Sequence, residues 1–393
     1  QLAEESVVLL ANDTAILPLR NAGRIAVVGP LAADPLAYFG CYTFPRHVGH
    51  AHPGTSVGVP VEPLSAALAR ELPHAQIEHA AGCDVRGIDQ SGFAAAVECA
   101  AAADTVIAVL GDEAGLFGRG SSGEGCDASD LGLPGVQAEL LDALMATGKP
   151  VVLVLITGRP YAIGPVAGRL AAAVQAFFPG QEGGGAIAGV LAGRLVPSGK
   201  LPIELPQHPS TTQLAYRAAL LGTSSEVSSA DPTPLYPFGH GLSYTTFEFT
   251  DLALYPADGD DTGAGSVSIG TDGMAEIACT VRNAGEHTGT EVVQLYLHDP
   301  VAQVVRPVAE LAGFARVTLR PGQSRRVVFR LHADRTAFCG LSGERVVEPG
   351  VIEVGIGSSS ADLRLHGELE LHGPERTVGP SRVLSTPVAV LDR

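Results

Sequence analysis

Lysine is nearly missing from this 393-residue sequence: Lys149 and Lys200 stand alone, and arginine supplies the rest of the 25 basic residues. That imbalance reads as a composition bias of the genome. Against 42 acidic residues it leaves a net charge of −17. A phosphate-backbone partner needs clustered Lys and Arg, so a nucleic-acid partner is excluded. Cysteine is sparse too: six residues, at 41, 83, 99, 126, 279 and 339, form no CxxC pair and no tight metal spacing. Dispersed thiols without a disulfide framework suit a reducing compartment and favour a cytoplasmic location. No run reaches the roughly 18 uninterrupted apolar residues that a membrane span requires. The sequence opens on Gln1 rather than Met and reads as interior protein, so any signal peptide would lie upstream of it.

What is present is core-forming material. Apolar residues make up 46% and charged residues 17%, which excludes global disorder. The 48 glycines and 28 prolines stay below the low-complexity range of about 25–30%. At about 100–200 residues per domain the length corresponds to two or three domains.

Residues 1–206 alternate β-rich and helical runs. The strand candidates are Ile25–Gly29, Gln76–Ala80, Thr105–Leu110, Val151–Ile156, Ala173–Phe177 and Leu201–Glu204. Several are apolar throughout, as strands covered on both faces should be. Helical patterns fill Gly92–Ala103, Pro134–Thr147 and Gly184–Ala192, with Pro134 in a first turn and Asp130 placed to complement that helix's start. The alternation predicts a three-layer α/β/α sandwich with a mostly parallel sheet. Residues 207–245 read as a linker and interdomain segment. Residues 246–370 hold only β patterns, among them Ile277–Arg282, Val292–His298, Ser324–Leu331 and Val351–Ile356. They predict an immunoglobulin- or fibronectin III-like sandwich. Residues 371–393 read as an extended tail.

Three local motifs carry bland readings. Gly118–Gly123 fits G-x-G-x-x-G, but Gly111–Phe117 separates it from the preceding strand. Glu124, Asp127 and Asp130 also follow where a pyrophosphate would sit. Gly54–Gly58 fits the nucleophile-elbow pattern without its strand. His47, His50 and His52 lack a paired ligand at helical spacing and read as a solvated loop, so no metal is expected.

The loop after Leu110 differs. It is long, rich in glycine and acidic, and it leaves the carboxyl end of a central strand, where open α/β sheets bind ligands. Its run Ser122-Gly-Glu124-Gly-Cys-Asp127, continuing to Leu131-Gly-Leu-Pro134-Gly-Val-Gln137, resembles the acid/base loop of glycoside hydrolase family 3. Other landmarks follow in the family's order. Glu5–Asn12 with Leu17-Pro18-Leu19 resembles the helix entering its second domain, and Ile25–Pro30 its first strand. Phe178–Gly184, Pro197–Pro202 and Tyr236–Phe247 are similarly close. Val281–Gly285 and Gly289–Tyr296 resemble the fibronectin-type-III-like domain of the family. Gly40–Val48 resembles a segment of its β-xylosidase-like members.

The resemblance implies the C-terminal part of a retaining β-glucosidase or β-xylosidase, with a carbohydrate substrate and no cofactor. It implies Glu124 as general acid/base and Phe117, Arg119 and Asp127 as substrate-binding residues. It also implies a partner that this chain lacks, a (β/α)8 barrel carrying the aspartate nucleophile, so the chain alone is expected to be inactive. One departure sits in the loop: the family's Glu-Gly-x-Asp-Arg ends here on Ala128. The alternatives are a non-catalytic module that binds sugar or scaffolds the barrel, and an unrelated flavodoxin-like domain with a sandwich attached.

Overall fold

The computed structural model describes residues 1–20, 23–52, 54–209, 216–222, 224–227, 229, 231–257, 259 and 265–392. The chain divides into two compact units, Gln1–Lys200 with Leu205–Thr211, and Leu201–Glu204 with Thr212–Arg393. Within the expected linker, residues 210–215, 223, 228 and 230 lie outside the described residues.

The first unit is built on six strands: β1 (Val8–Ala11), β2 (Arg24–Val28), β3 (Gln76–Ala80), β4 (Thr105–Gly111), β5 (Val151–Ile156) and β6 (Ala172–Gln175). Their order is β1-β6-β5-β4-β2-β3, parallel from β6 to β3. Every residue of β4 and β5 is buried, which accounts for their continuous apolar sequence. The helices are α1 (Leu2–Ser6), α2 (Phe44–His47), α3 (Leu64–Glu71), α4 (Phe93–Ala102), α5 (Gln137–Met145), α6 (Gly164–Ala167) and α7 (Gly183–Ala192). From β2 through α3 to β3 the chain steps one way across the sheet; from β3 through α4 to β4, and on through α5 to β5, it steps the other way. Right-handed crossovers therefore place α3 on one face and α4 and α5 on the opposite one. In agreement, α3 packs with α7, and α4 with α5. This is the expected three-layer sandwich.

Two expectations at its margins are corrected. Leu201–Glu204 is not a strand of this sheet: the Leu201 N–H donates to His240 O at 2.8 Å, and its carbonyl accepts from Gly239 N at 2.8 Å. The sixth strand is β1, which pairs antiparallel with β6 at the edge. The segment read as an entering helix is helical only through Ser6, and Val8, Leu9 and Leu10 are each 1% exposed. Pairing with β6 places those three side chains on covered sheet faces, and their burial outweighs helix continuation.

The second unit is a β-sandwich made of β7 (Phe247–Pro256), β8 (Ser266–Gly270), β9 (Met274–Asn283), β10 (Gly289–His298), β11 (Glu310–Leu319) and β12 (Ser324–His332), with β13 (Phe338–Cys339), β14 (Arg345–Val347), β15 (Gly350–Ser359), β16 (Asp362–His372), β17 (Arg376–Thr377) and β18 (Val388–Asp392). One sheet runs β11-β10-β15-β16-β8 and the other β18-β12-β9-β7; β13, β14 and β17 form a small third. Inward side chains such as Ile277, Val293, Leu295, Phe329 and Ile356 fill the space between the two larger sheets. The C-terminal segment read as a tail supplies β18, which pairs antiparallel with β12. No helix of the described residues is long and apolar enough to cross a membrane.

Asn283 closes β9 and is fully buried. Its Nδ2 donates to His287 O at 2.8 Å and Leu319 O at 2.9 Å, and its Oδ1 accepts from Thr245 Oγ1 at 2.7 Å and Gly285 N at 3.0 Å. Truncation leaves these buried groups without their partner, at about 1–3 kcal/mol for each one that water cannot reach. Asn283→Ala is expected to destabilise the second unit by about 2–4 kcal/mol. Urea unfolding followed on that unit measures it, and an unchanged midpoint would refute the assignment.

Candidate active site at the carboxyl edge of the sheet

The strand order reverses at β2: β3 lies on one side of it and β4 on the other. Loops leaving the carboxyl ends of β2 and β4 therefore diverge and open a crevice, the usual ligand position of an open α/β sheet. The β2 loop runs over residues 29–63 and carries α2; the β4 loop runs over 112–136.

The β4 loop is tied at its base. Gln137, fully buried, accepts from Gly111 N at 2.8 Å and donates to Gly111 O at 2.8 Å and Val85 O at 3.0 Å. Gly111 itself has φ +143°, and a Cβ there would lie 2.0 Å from Ile156 O, so only glycine fits where the chain leaves the sheet. Fully buried Asp112 accepts from Ser121 Oγ at 2.6 Å, Tyr161 Oη at 2.6 Å and Gly158 N at 2.8 Å. Burial and the Asp112 charge push the Tyr161 phenol up, so it stays a donor. The Arg159 guanidinium donates to the carbonyls of Ser121 and Cys126. These two carbonyls flank the four residues 122–125. Gly115 N donates to Ser122 O at 2.9 Å and Phe117 N to Glu124 O at 2.8 Å, folding the loop back on itself. Gly123 has φ +124°, and a Cβ there would lie 2.1 Å from Gly115 O. The backbone beneath Glu124 is thus held although the loop has no regular structure.

Glu124 is exposed, and Tyr42 of the β2 loop donates its hydroxyl hydrogen to Oε2. That carboxylate pushes the Tyr42 phenol above its ordinary value. The two loops are also joined by Arg46 of α2, 3.6 Å from Glu113 and 3.5 Å from Asp34; Glu113 lies 3.3 Å from Arg86 as well.

Two hollows flank this arrangement. One, of about 470 Å³, is lined by Tyr42, Gly123, Gly158 and Phe178, from the loops after β2, β4, β5 and β6. The other, of about 580 Å³, is lined by Arg46, His47, His52, Glu113, Phe117 and Arg119. Phe117 and Arg119 therefore share one hollow, while Gly123 and Tyr42 border the other. Phe117 is 71% exposed with φ +54°, a backbone region that bulky residues rarely occupy outside functional loops. Asp127 is exposed and lines neither hollow. Asp130 does not cap α5, which starts at Gln137; it accepts from Gly132 N at 2.9 Å in a local turn. Among the described residues no group of three or more His, Cys, Asp or Glu is placed to hold a metal. The side chain of His50 lies outside the described part.

Tyr42, Asp112, Arg159 and Gln137 were not singled out from sequence. Tyr42 and Gln137 do lie inside recognised segments. Asp112 and Arg159 stand just past strands, yet nothing local signals that they meet.

By fold and loop chemistry this is a domain that offers a carboxyl group at the carboxyl edge of a parallel sheet, followed by a β-sandwich. The glycosyl hydrolase family 3 C-terminal domain matches residues 7–244, and a fibronectin type III-like domain matches residues 291–360. The chain belongs to glycoside hydrolase family 3. It is 35% identical to a β-xylosidase of Formosa agariphila over 92% of its own length and 48% of that protein's. It is also 35% identical to a periplasmic β-glucosidase of Salmonella typhimurium, over 93% and 48%. A β-glucosidase structure from Erythrobacter marinus superposes with a TM-score of 0.79 at 33% identity, covering 94% of this chain and 49% of that one. The chain spans about half the length of the curated relatives it matches.

Proposed function

We propose that this chain is the C-terminal part of a retaining exo-β-glycosidase acting on β-xylosides or β-glucosides, with Glu124 as general acid/base. The observation that carries the reading is an exposed carboxyl group, held from a second loop by Tyr42, in the crevice where the strand order reverses. The names of the relatives support the substrate class.

Retaining hydrolysis needs two carboxyls about 5–5.5 Å apart. In the first step Glu124 gives its proton to the glycosidic oxygen as that C–O bond breaks. A carboxylate of the (β/α)8 barrel forms the new bond to the anomeric carbon. In the second step Glu124 takes a proton from water, whose oxygen attacks the same carbon and releases the barrel carboxylate. Phe117 and Arg119 line a hollow on this side, and Asp127, exposed on the same loop, is available to meet the sugar. A short glycine-flanked segment on a firm base suits a group that must approach sugar bound in another domain.

The isolated chain, lacking a barrel, is expected to show no turnover of aryl β-glucosides or β-xylosides. Joined to a family barrel domain it is expected to gain turnover. Robust hydrolysis by the chain alone, or none in the joined form when it is folded, would sink the proposal.

A further inference from the structure

The Glu124 backbone is fixed through its carbonyl, but its side chain keeps its own torsions. Among the described residues, the hydrogen bond from Tyr42 is the one that reaches its carboxylate. Packing does not explain the position of Tyr42, which is 66% exposed. Its loop is nevertheless firmly built. Thr43 Oγ1 donates to Gly40 O at 2.7 Å, and Arg46 donates to Leu36 O through Nε at 3.2 Å and Nη2 at 2.8 Å. The other titratable groups around the pair are Cys41, next in the chain, and His47, whose ring meets Tyr42 edge-on at 6.2 Å. Arg119 and Asp127 stand on the Glu124 loop itself.

We infer that Tyr42 is a positioning residue for Glu124, occupying Oε2 and leaving Oε1 to carry the proton exchanged with the glycosidic oxygen and then with water. This rests on the acid/base reading of Glu124. A carboxylate oxygen accepts from a phenol whether the other oxygen is protonated or not. The phenol remains a donor because the neighbouring carboxylate disfavours its ionisation. One hydrogen bond therefore serves both half-reactions and keeps the same oxygen as the proton carrier throughout.

The test combines two measurements. In the chain itself, with ring-¹³C tyrosine, the Tyr42 resonance is expected to titrate above the ordinary phenol range, and to fall back in Glu124→Gln. In the chain joined to its barrel, Tyr42→Phe keeps the ring and the contact with His47. It is expected to lower kcat/KM on poor leaving groups about 10–100-fold, the scale of a hydrogen bond to a charged group. Activated aryl glycosides should be spared. Absence of the Glu124-dependent shift in the chain overturns the pairing. A leaving-group dependence unchanged in Tyr42→Phe, while Glu124→Gln behaves as an acid/base knockout, overturns the positioning role alone. An intact pairing with no acid/base signature in Glu124→Gln removes the reading of Glu124, and the role of Tyr42 with it.

Discussion

Glu124→Gln, made in the chain joined to its barrel, is expected to slow hydrolysis of glycosides with poor leaving groups by about 10²–10⁴-fold, the usual contribution of general acid catalysis. The amide keeps the shape of the side chain and can still accept from Tyr42, so the loop should stay folded. What is lost is the transferable proton. An activated aryl leaving group departs without protonation, so its first step should suffer much less. Its second step still needs a base, and the covalent intermediate should accumulate. Azide attacks that intermediate without a base, so it should restore turnover and give a β-glycosyl azide. Asp127→Asn is the control, because Asp127 is the other exposed carboxyl of the same short segment. Equal rates for Glu124→Gln and the parent on both substrate types would disprove the assignment, as would this signature appearing in Asp127→Asn instead.

The second large effect lies beneath the loop. Asp112→Ala removes, at a fully buried side chain, the acceptor of buried Tyr161 Oη and of the less buried Ser121 Oγ and Gly158 N. With the Tyr161 hydroxyl stranded at about 1–3 kcal/mol and the other two donors losing about 0.5–1.5 kcal/mol each, the loss should come to about 2–5 kcal/mol. For a unit of about 200 residues that corresponds to a fall in Tm on the order of 10 °C. Calorimetry of the chain measures it directly. Asp112→Asn, which keeps one acceptor oxygen, should fall less. A Tm within a degree or two of the parent for Asp112→Ala would show that the network is not needed.

The sheet was legible where its strands are fully covered: Val151–Ile156 is apolar at every position because both faces are buried. It was misread at the edges. Val8–Ala11 is a short apolar run inside Glu5–Asn12, the segment that resembles the family's entering helix, and periodicity cannot tell so short a run from a buried helix segment. Leu201–Glu204 has strand composition, but its backbone partner is the Gly239–His240 turn. Glu124 stood out through the motif around it, whereas its partner Tyr42 lies 82 positions away, on a loop that strand order alone brings near. The brace was hidden for the same reason: Asp112 and Tyr161 are 49 positions apart, and no periodicity links them. Asp130 looked like a helix-associated acid because the helix seemed to start at Pro134 rather than Gln137.

The paired bonds between Gln137 and the Gly111 peptide imitate one rung of a β-ladder, made by a side chain. They bring both ends of a 25-residue excursion to one spot before any of its interior is specified. The length of that excursion is thereby less constrained by the sheet, because the entropy of closing a loop grows only slowly with its length. Such a cassette can be lengthened, shortened or regrafted while the strands beneath it stay in register. Changes in length within residues 113–136 can then be absorbed around the contacts to Asp112 and Arg159, with Gly111 and Gln137 as the fixed ends.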